Sequence, residues 1–198
     1  MIRNFSIGRG FTLWFTGLPC AGKTTLADAV GNELRARGLQ VEQLDGDAMR
    51  KKFSPPPGFT RKERINHIAR IAFEASLLTQ RGIATLVSVI SPYREMRENA
   101  RRQIHPFIEV YVRCPLSICE GRDVKGMYRL AREGKIKNFT GITDPYEKPL
   151  QPEIIVDTDR ANLKSCVRKI IEGLGPLLKA PKERRSRVEI QERIREAV

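Results

Sequence analysis

Apolar positions in this chain follow two rhythms that alternate from one end to the other. Short, nearly continuous apolar runs occupy residues 11–16, 41–45, 84–90, 107–112 and 154–157 and read as buried strands. Between them lie longer stretches whose apolar residues recur every three or four positions. These predict helices over 23–37, 61–80, 93–104, 116–122 and 162–178. In the first helix, Leu26, Ala29, Val30 and Leu34 share one face. Strand and helix in alternation predict an α/β fold, with a parallel five-stranded sheet flanked by helices.

Punctuation residues sharpen the boundaries. Thr60 and Glu63 have capping-box spacing and place the start of the second long helix. Gly38 and Gly82 stand where helix C-terminal stops belong. The run Ser54-Pro55-Pro56-Pro57-Gly58 reads as loop, because proline has no amide proton to give to a helix or inner strand. Residues 124–149 differ from the rest, being basic, glycine-punctuated and without a strand-like run. A segment of that length inside a compact domain is usually functional, and this one reads as a mobile lid. Past Pro176 the composition turns charged. The chain therefore divides into one domain over 1–178, with its lid, and a basic tail over 179–198.

Composition narrows the class. At 198 residues the chain suits a single domain with a real core. It has no apolar run of roughly 18 residues, so no membrane partner is expected. The first strand leaves no room for a cleavable signal before it. Cys20, Cys114, Cys119 and Cys166 match neither a C-x-x-C pair nor a zinc spacing, which suits reduced thiols in a cytoplasmic protein. The net charge of +13 admits two partners, a polynucleotide or a small, highly anionic substrate. Seven Lys/Arg against four Glu in the tail supply part of that excess. No RNA-binding signature accompanies it, which favours the small anion over nucleic acid.

Candidate chemistry begins at the first strand–helix junction. Gly17-Leu18-Pro19-Cys20-Ala21-Gly22-Lys23-Thr24 matches G-x-x-x-x-G-K-[ST] in the setting that motif requires, and it predicts a P-loop fold that binds a nucleoside triphosphate. Glycine lets the backbone wrap a polyphosphate with its amides turned inward, and the helix start adds partial positive charge. Gly17 to Thr24, with Thr25, form the expected ATP site. Lys23 reaches the β- and γ-phosphates, and Thr24 ligates Mg²⁺. The second strand ends in Leu44-Asp45-Gly46-Asp47, with Arg50 just beyond. Ligands in such sheets sit past the carboxyl ends of the strands. Asp45 and Asp47 are therefore candidates to hold the metal, and Asp47 to take the proton of an attacking hydroxyl.

These segments together resemble the adenylyl-sulfate kinase (APS kinase) family. The likeness also rests on Gly58-Phe59 with Arg64, on Ile90-Ser91-Pro92-Tyr93-Arg94 and on Lys125-Gly126-Met127-Tyr128. It continues through Ile136-Lys137-Asn138-Phe139-Thr140-Gly141-Ile142 and Asp144-Pro145-Tyr146-Glu147. It implies a P-loop kinase fold and transfer of the γ-phosphoryl of ATP to the 3′-hydroxyl of adenosine 5′-phosphosulfate, with Mg²⁺ and in sulfate assimilation. It also implies that Arg50 and Arg64 grip the phosphosulfate and that Phe59 and Phe139 flank its adenine. Ile90, Ser91, Lys125 and Asn138 would touch the substrate, with Ser91 also a candidate covalent residue and Lys23 and Asp47 catalytic. A homodimer is a further expectation.

Three features, at four positions, depart from the family pattern. Pro19-Cys20 replaces a small Ser-Gly or Ser-Ala pair, His67 stands where an Asn commonly contacts substrate, and Arg113 stands where Asp is frequent. Two other readings stay open on the residues: a kinase of another small hydroxyl compound, and a basic nucleic-acid-binding module that uses ATP as a switch.

Overall fold

A computed structural model describes residues 10–52 and 58–179. Its elements in chain order are β1 (Phe11–Thr16), α1 (Lys23–Ala36), β2 (Val41–Asp45), α2 (Gly46–Lys52), α3 (Arg61–Gln80) and β3 (Ala84–Ser88). There follow α4 (Arg94–Gln103), β4 (Phe107–Arg113), α5 (Leu116–Arg122), α6 (Met127–Arg132), β5 (Ile154–Asp157) and α7 (Leu163–Lys179). All strands are parallel, in the order β2-β3-β1-β4-β5. The expected five-stranded parallel sheet is the one observed.

The sheet separates two apolar layers. Phe11, Leu13 and Phe15 of β1 point into a core shared with Leu26, Val30 and Leu34 of α1 and Ile170 and Leu174 of α7. Trp14 points the other way, into a second core with Ile68, Ile71 and Ala75 of α3 and Met96 of α4. Every residue of β1 is buried, which is why its sequence reads as a continuous apolar run. Two threonines on the Trp14 face keep their hydroxyls satisfied: Thr12 bonds Thr79 at 2.7 Å, and Thr16 donates to the Ile90 carbonyl at 2.7 Å.

The structure corrects several boundaries. β3 ends at Ser88 rather than at 90, because the chain leaves the sheet and turns through Ser91 at φ 40°. α4 begins at Arg94, one residue later than expected. Two helices had no counterpart among the expectations. α2 follows directly on β2, and its first amides are capped by the Asp45 carboxylate, which accepts from Asp47 N at 3.0 Å and Ala48 N at 3.1 Å. α6 lies inside the expected lid, and Asp123 caps it by accepting from Tyr128 N and Arg129 N, each at 3.0 Å.

The remainder of the 124–149 segment packs on the body of the fold. Tyr128, Ala131, Phe139 and Thr140 are buried. Tyr93 donates to Asp144 at 2.9 Å, Arg94 N to the Glu147 carboxylate at 2.8 Å, and Arg97 to the Glu147 carbonyl at 2.6 Å. The Ser54–Pro57 part of the expected loop and the tail over 180–198 lie outside the described residues. Among the described residues, no helix is long and apolar enough to cross a membrane.

Candidate active site

The P-loop joins β1 to α1 and is held from outside by its own carbonyls. Lys23 Nζ donates to Gly17 O at 3.1 Å and Leu18 O at 2.7 Å. Tyr128 Oη donates to Pro19 O at 3.0 Å, Arg122 to Cys20 O at 3.4 Å, and Thr158 Oγ1 to Ala21 O at 2.8 Å. The five carbonyls from 17 to 21 thus each meet a donor, which lowers the acceptor density facing an incoming polyphosphate. Gly17 is obligatory here, since a Cβ would stand 2.4 Å from Val112 O. Gly22 caps α1 in the left-handed region at φ 94°, as does Cys20 within the loop at φ 57°. Pro19 is accommodated because its carbonyl, not its missing amide, makes the contact to Tyr128. Burial lowers the Lys23 pKa to about 8, which leaves it mostly charged at neutral pH. Arg122 and Thr158 carry no local motif that marks them in the sequence, since they sit at the end of α5 and just after β5.

Of the three expected metal ligands, Thr24 and Asp45 stand side by side, while Asp47 is engaged elsewhere. Thr24 Oγ1 donates to Asp45 Oδ2 at 2.9 Å. A hydroxyl and a carboxylate side by side at the phosphate loop are hard oxygen donors, few in number, and fit Mg²⁺ that takes its other ligands from phosphate and water. Among the described residues there is no cluster of three or more His, Cys, Asp or Glu that would make a self-contained metal site. Asp47, in the first turn of α2, points to the far side of the cleft, where its Oδ2 pairs with Lys125 Nζ at 2.6 Å. The hydrogen bond from Lys125 holds the Asp47 carboxyl below the usual carboxylate range, and the same bond raises Lys125. Asp47 is an anion throughout the neutral range.

Beyond Asp47 the cleft is built from side chains of several segments. Phe59 is 51% exposed and lies under two guanidinium groups, Arg50 at 4.5 Å and Arg64 at 5.6 Å from its ring centroid. Arg50 also donates to Gly58 O at 2.7 Å, which fixes the residue before the ring. An exposed aromatic face beside cationic planes suits a planar base attached to an oxyanion.

Several expected contacts are reassigned by their surroundings. Arg64 is buried and acts as a strut: it donates to Phe59 O at 2.9 Å, to Thr140 Oγ1 at 3.1 Å and to Asn138 O. It ties α3 to both the Phe59 turn and the 138–140 turn, where Asn138 sits in the left-handed region at φ 55°. Phe139, which the resemblance places beside the adenine, is 8% exposed, with its ring edge-on to Tyr128 at 4.9 Å. Ser91 is 1% exposed, and its hydroxyl donates to Thr16 Oγ1 at 3.0 Å and accepts from Trp14 Nε1 at 3.2 Å. In this structure the Ser91 hydroxyl is engaged within the protein, linking β1 to the turn after β3. Ile90 is half-buried, and its carbonyl is taken by Thr16.

His67 is buried, with Nε2 3.1 Å from Gly46 O. A carbonyl only accepts, so Nε2 carries the proton. Burial first, and the Arg50 charge second, lower the His67 pKa to about 4. The neutral ring pins the first residue of α2 and thereby steadies Asp47. Arg113, the third departure, forms a two-pronged pair with Asp157 across β4 and β5.

With this geometry in hand, the comparisons with known proteins are decisive. The model of the adenylylsulphate kinase family matches residues 9–157. This chain belongs to the adenylyl-sulfate kinase family. It is 52% identical over 166 residues to the adenylyl-sulfate kinase of Synechococcus sp. (strain JA-2-3B'a(2-13)), covering 84% of this chain and 95% of that one. It is 51% identical over 166 residues to the adenylyl-sulfate kinase of Halothermothrix orenii, covering 84% and 90%. Among solved structures, it is similar to the Mycobacterium tuberculosis APS kinase CysC in complex with AMPPNP and APS. That match has a TM-score of 0.79 and 38% identity and covers 84% of this chain and 98% of that one.

Proposed function

We propose that this chain is an adenylyl-sulfate kinase that moves the γ-phosphoryl of ATP to the 3′-hydroxyl of adenosine 5′-phosphosulfate. The observation that carries this is a run of contacts from phosphate loop to aromatic ring: Thr24 bonds Asp45, Asp45 caps the α2 turn that carries Asp47 and Arg50, and Arg50 lies over Phe59. A triphosphate at one end and a base with an oxyanion at the other leave a ribose hydroxyl between them, beside Asp47.

Each side chain then has a task. The loop amides and Lys23 neutralise charge on the transferred group. Thr24 and Asp45 would hold Mg²⁺, which would supply positive charge against that of the transferred phosphoryl group. Asp47 accepts a hydrogen bond from the 3′-hydroxyl and orients it in line. Arg50 meets the anionic end of the acceptor, while Phe59 carries the base and Arg64 and Asn138 keep the platform rigid. Lys125 holds Asp47 ionised and has the charge to contact phosphate. Movement of the 124–149 segment over the cleft would exclude water that otherwise competes as acceptor. The four free cysteines suit a reducing compartment, and we place the enzyme in the cytoplasm.

The test is ADP release with Mg-ATP and adenosine 5′-phosphosulfate, beside AMP, nucleosides and no acceptor. Stimulation by the phosphosulfate alone is the expected result. ATP binding without such stimulation would sink this assignment and point to another anionic hydroxyl compound.

A further inference from the structure

Arg97, one turn into α4, is 3% exposed, and its guanidinium meets groups from three other segments. Nη1 donates to Ser91 O at 2.5 Å, Nη2 donates to Glu147 O at 2.6 Å, and Nε pairs with the Glu109 carboxylate of β4 at 2.8 Å. Burying a cation is costly unless its charge and its donors are matched. The Glu109 pair alone would answer the charge and hold α4 on the sheet. The two carbonyls are a further use of the planar fork, one that a point charge could not make in the same geometry.

Both carbonyls belong to segments that lead into the cleft. Ser91 lies in the turn after β3, and its hydroxyl bonds Thr16, the residue before the phosphate loop. Glu147 follows a closed turn over 139–144. There Gly141 N donates to Asp144 O at 2.7 Å, Asp144 N to Phe139 O at 3.1 Å, and Phe139 N to Thr143 Oγ1 at 2.9 Å. Arg64 bonds the start of that turn at Asn138 O and Thr140, and also bonds Phe59 O. Contacts therefore run from Phe59 through Arg64, the 139–144 turn, Glu147 and Arg97 to Ser91 and β1. We propose that Arg97 is a positioning residue for phosphoryl transfer, its fork fixing the spacing between the turn after β3 and the 138–147 segment, and so the width of the acceptor end. This rests on the assignment of the Phe59 end to the acceptor. Tyr93 and Arg94 N tie Asp144 and Glu147 to the start of α4, but Arg97 joins the segment, the Ser91 turn and the sheet through one rigid plane. A plane cannot release one bond without shifting the others, and a misplacement of about 1 Å can cost about 10²-fold in rate.

Two variants of the full chain test this. Arg97→Lys keeps a cation beside Glu109 but loses the fork. Arg97→Met combined with Glu109→Gln removes the buried pair together, so that neither charge is left alone. With Mg-ATP and adenosine 5′-phosphosulfate, both are expected to raise the acceptor KM about tenfold while the ATP KM stays unchanged. Amide hydrogen exchange without substrate supplies a second readout. Protection at Gly141, Asp144 and Glu147 is expected to fall while that of α1 holds. Unchanged acceptor KM in folded variants would overturn the proposal. So would an equal rise in both KM values, or a loss of protection spread over the whole chain, either of which marks a residue that serves stability alone. Failure of both variants to fold would overturn it too, by making Arg97 a requirement of the fold. A parent enzyme with no phosphosulfate-dependent turnover would instead remove the acceptor assignment, and the exchange pattern would still decide whether Arg97 sets the 138–147 segment.

Discussion

The two ends of the cleft are made of different material. The donor end is backbone: carbonyls 17 to 21 are fastened by Lys23, Tyr128, Arg122 and Thr158, leaving the loop shaped for phosphate. The acceptor end is side chain: Asp47 and Arg50 from α2, Phe59 from the turn before α3, Arg64 from α3 and Asn138 from the 138–140 turn. A backbone site tolerates changes in the residues that decorate it, as Pro19 and Cys20 show. A side-chain site has no such slack, because each member is placed by another. The consequence is that single substitutions should act locally at the donor end and spread at the acceptor end.

The largest effect is expected at the junction of the two, with Asp47→Ala. If Asp47 orients the hydroxyl as proposed, its loss should lower turnover by about 10²–10⁴-fold. ATP affinity should stay nearly constant, since Thr24 and Asp45 hold that end without it. Steady-state kinetics beside titration with a non-hydrolysable ATP analogue separates the two, and normal turnover would remove Asp47 from the mechanism. Next comes Phe59→Ala, which tests the acceptor end alone. Base stacking is worth about 1–3 kcal/mol, so the acceptor KM should rise about 5- to 150-fold with the ATP KM unchanged. An equal rise in both would mean the two ends are not separable.

The same division explains what the amino-acid pattern disclosed. The sheet and the donor end were legible because they depend on local rules: fully buried strands read as apolar runs, and a phosphate loop needs glycine at fixed spacing before Lys-Thr. α2 was invisible because seven residues, Gly46–Lys52, are too few to show a helical period, and its cap is the same Asp45 that was read as a metal ligand. α6 was hidden for the same reason inside a basic, glycine-punctuated stretch. At the acceptor end, residue types were visible but not their burial. Arg64, His67, Ser91 and Phe139 sit on segments whose local sequence gives no sign of the neighbours that cover them, which include Thr140 for Arg64 and Thr16 for Ser91, separations of 76 and 75. Tertiary contact decided those four.

A finer test of the acceptor end uses pH. Lys125 holds the Asp47 carboxyl below its ordinary range, so in the parent enzyme Asp47 stays charged until pH falls well under that range. Lys125→Met removes the hydrogen bond and the charge, and the Asp47 pKa rises toward its ordinary value. Asp47 then takes up its proton earlier as pH falls, and the acid limb of kcat/KM moves to higher pH. Near pH 7 Asp47 is ionised in both proteins. Stability should change little, because the pair is 68% and 73% exposed at its two side chains and water screens it. An unmoved acid limb would detach Lys125 from Asp47 in the working enzyme.

The smallest effect on turnover is expected at Ser91. Its hydroxyl sits between Thr16 and Trp14, at 1% exposure, in a chain of bonds that continues from Thr16 to Tyr146 at 3.0 Å. Ser91→Ala leaves Trp14 Nε1 without its acceptor in a buried site, at a cost of about 1–3 kcal/mol in stability. Turnover, in contrast, should stay within a few-fold, because that hydroxyl contacts neither the phosphate loop nor the Phe59 platform. Thermal unfolding and kinetics on one preparation distinguish the roles. A lower melting temperature with nearly intact kcat is the signature of a residue that holds β1 to the turn after β3. Abolished turnover at unchanged stability would instead require the hydroxyl to reach phosphate, and the acceptor end would have to open by moving the Trp14–Ser91–Thr16 network itself.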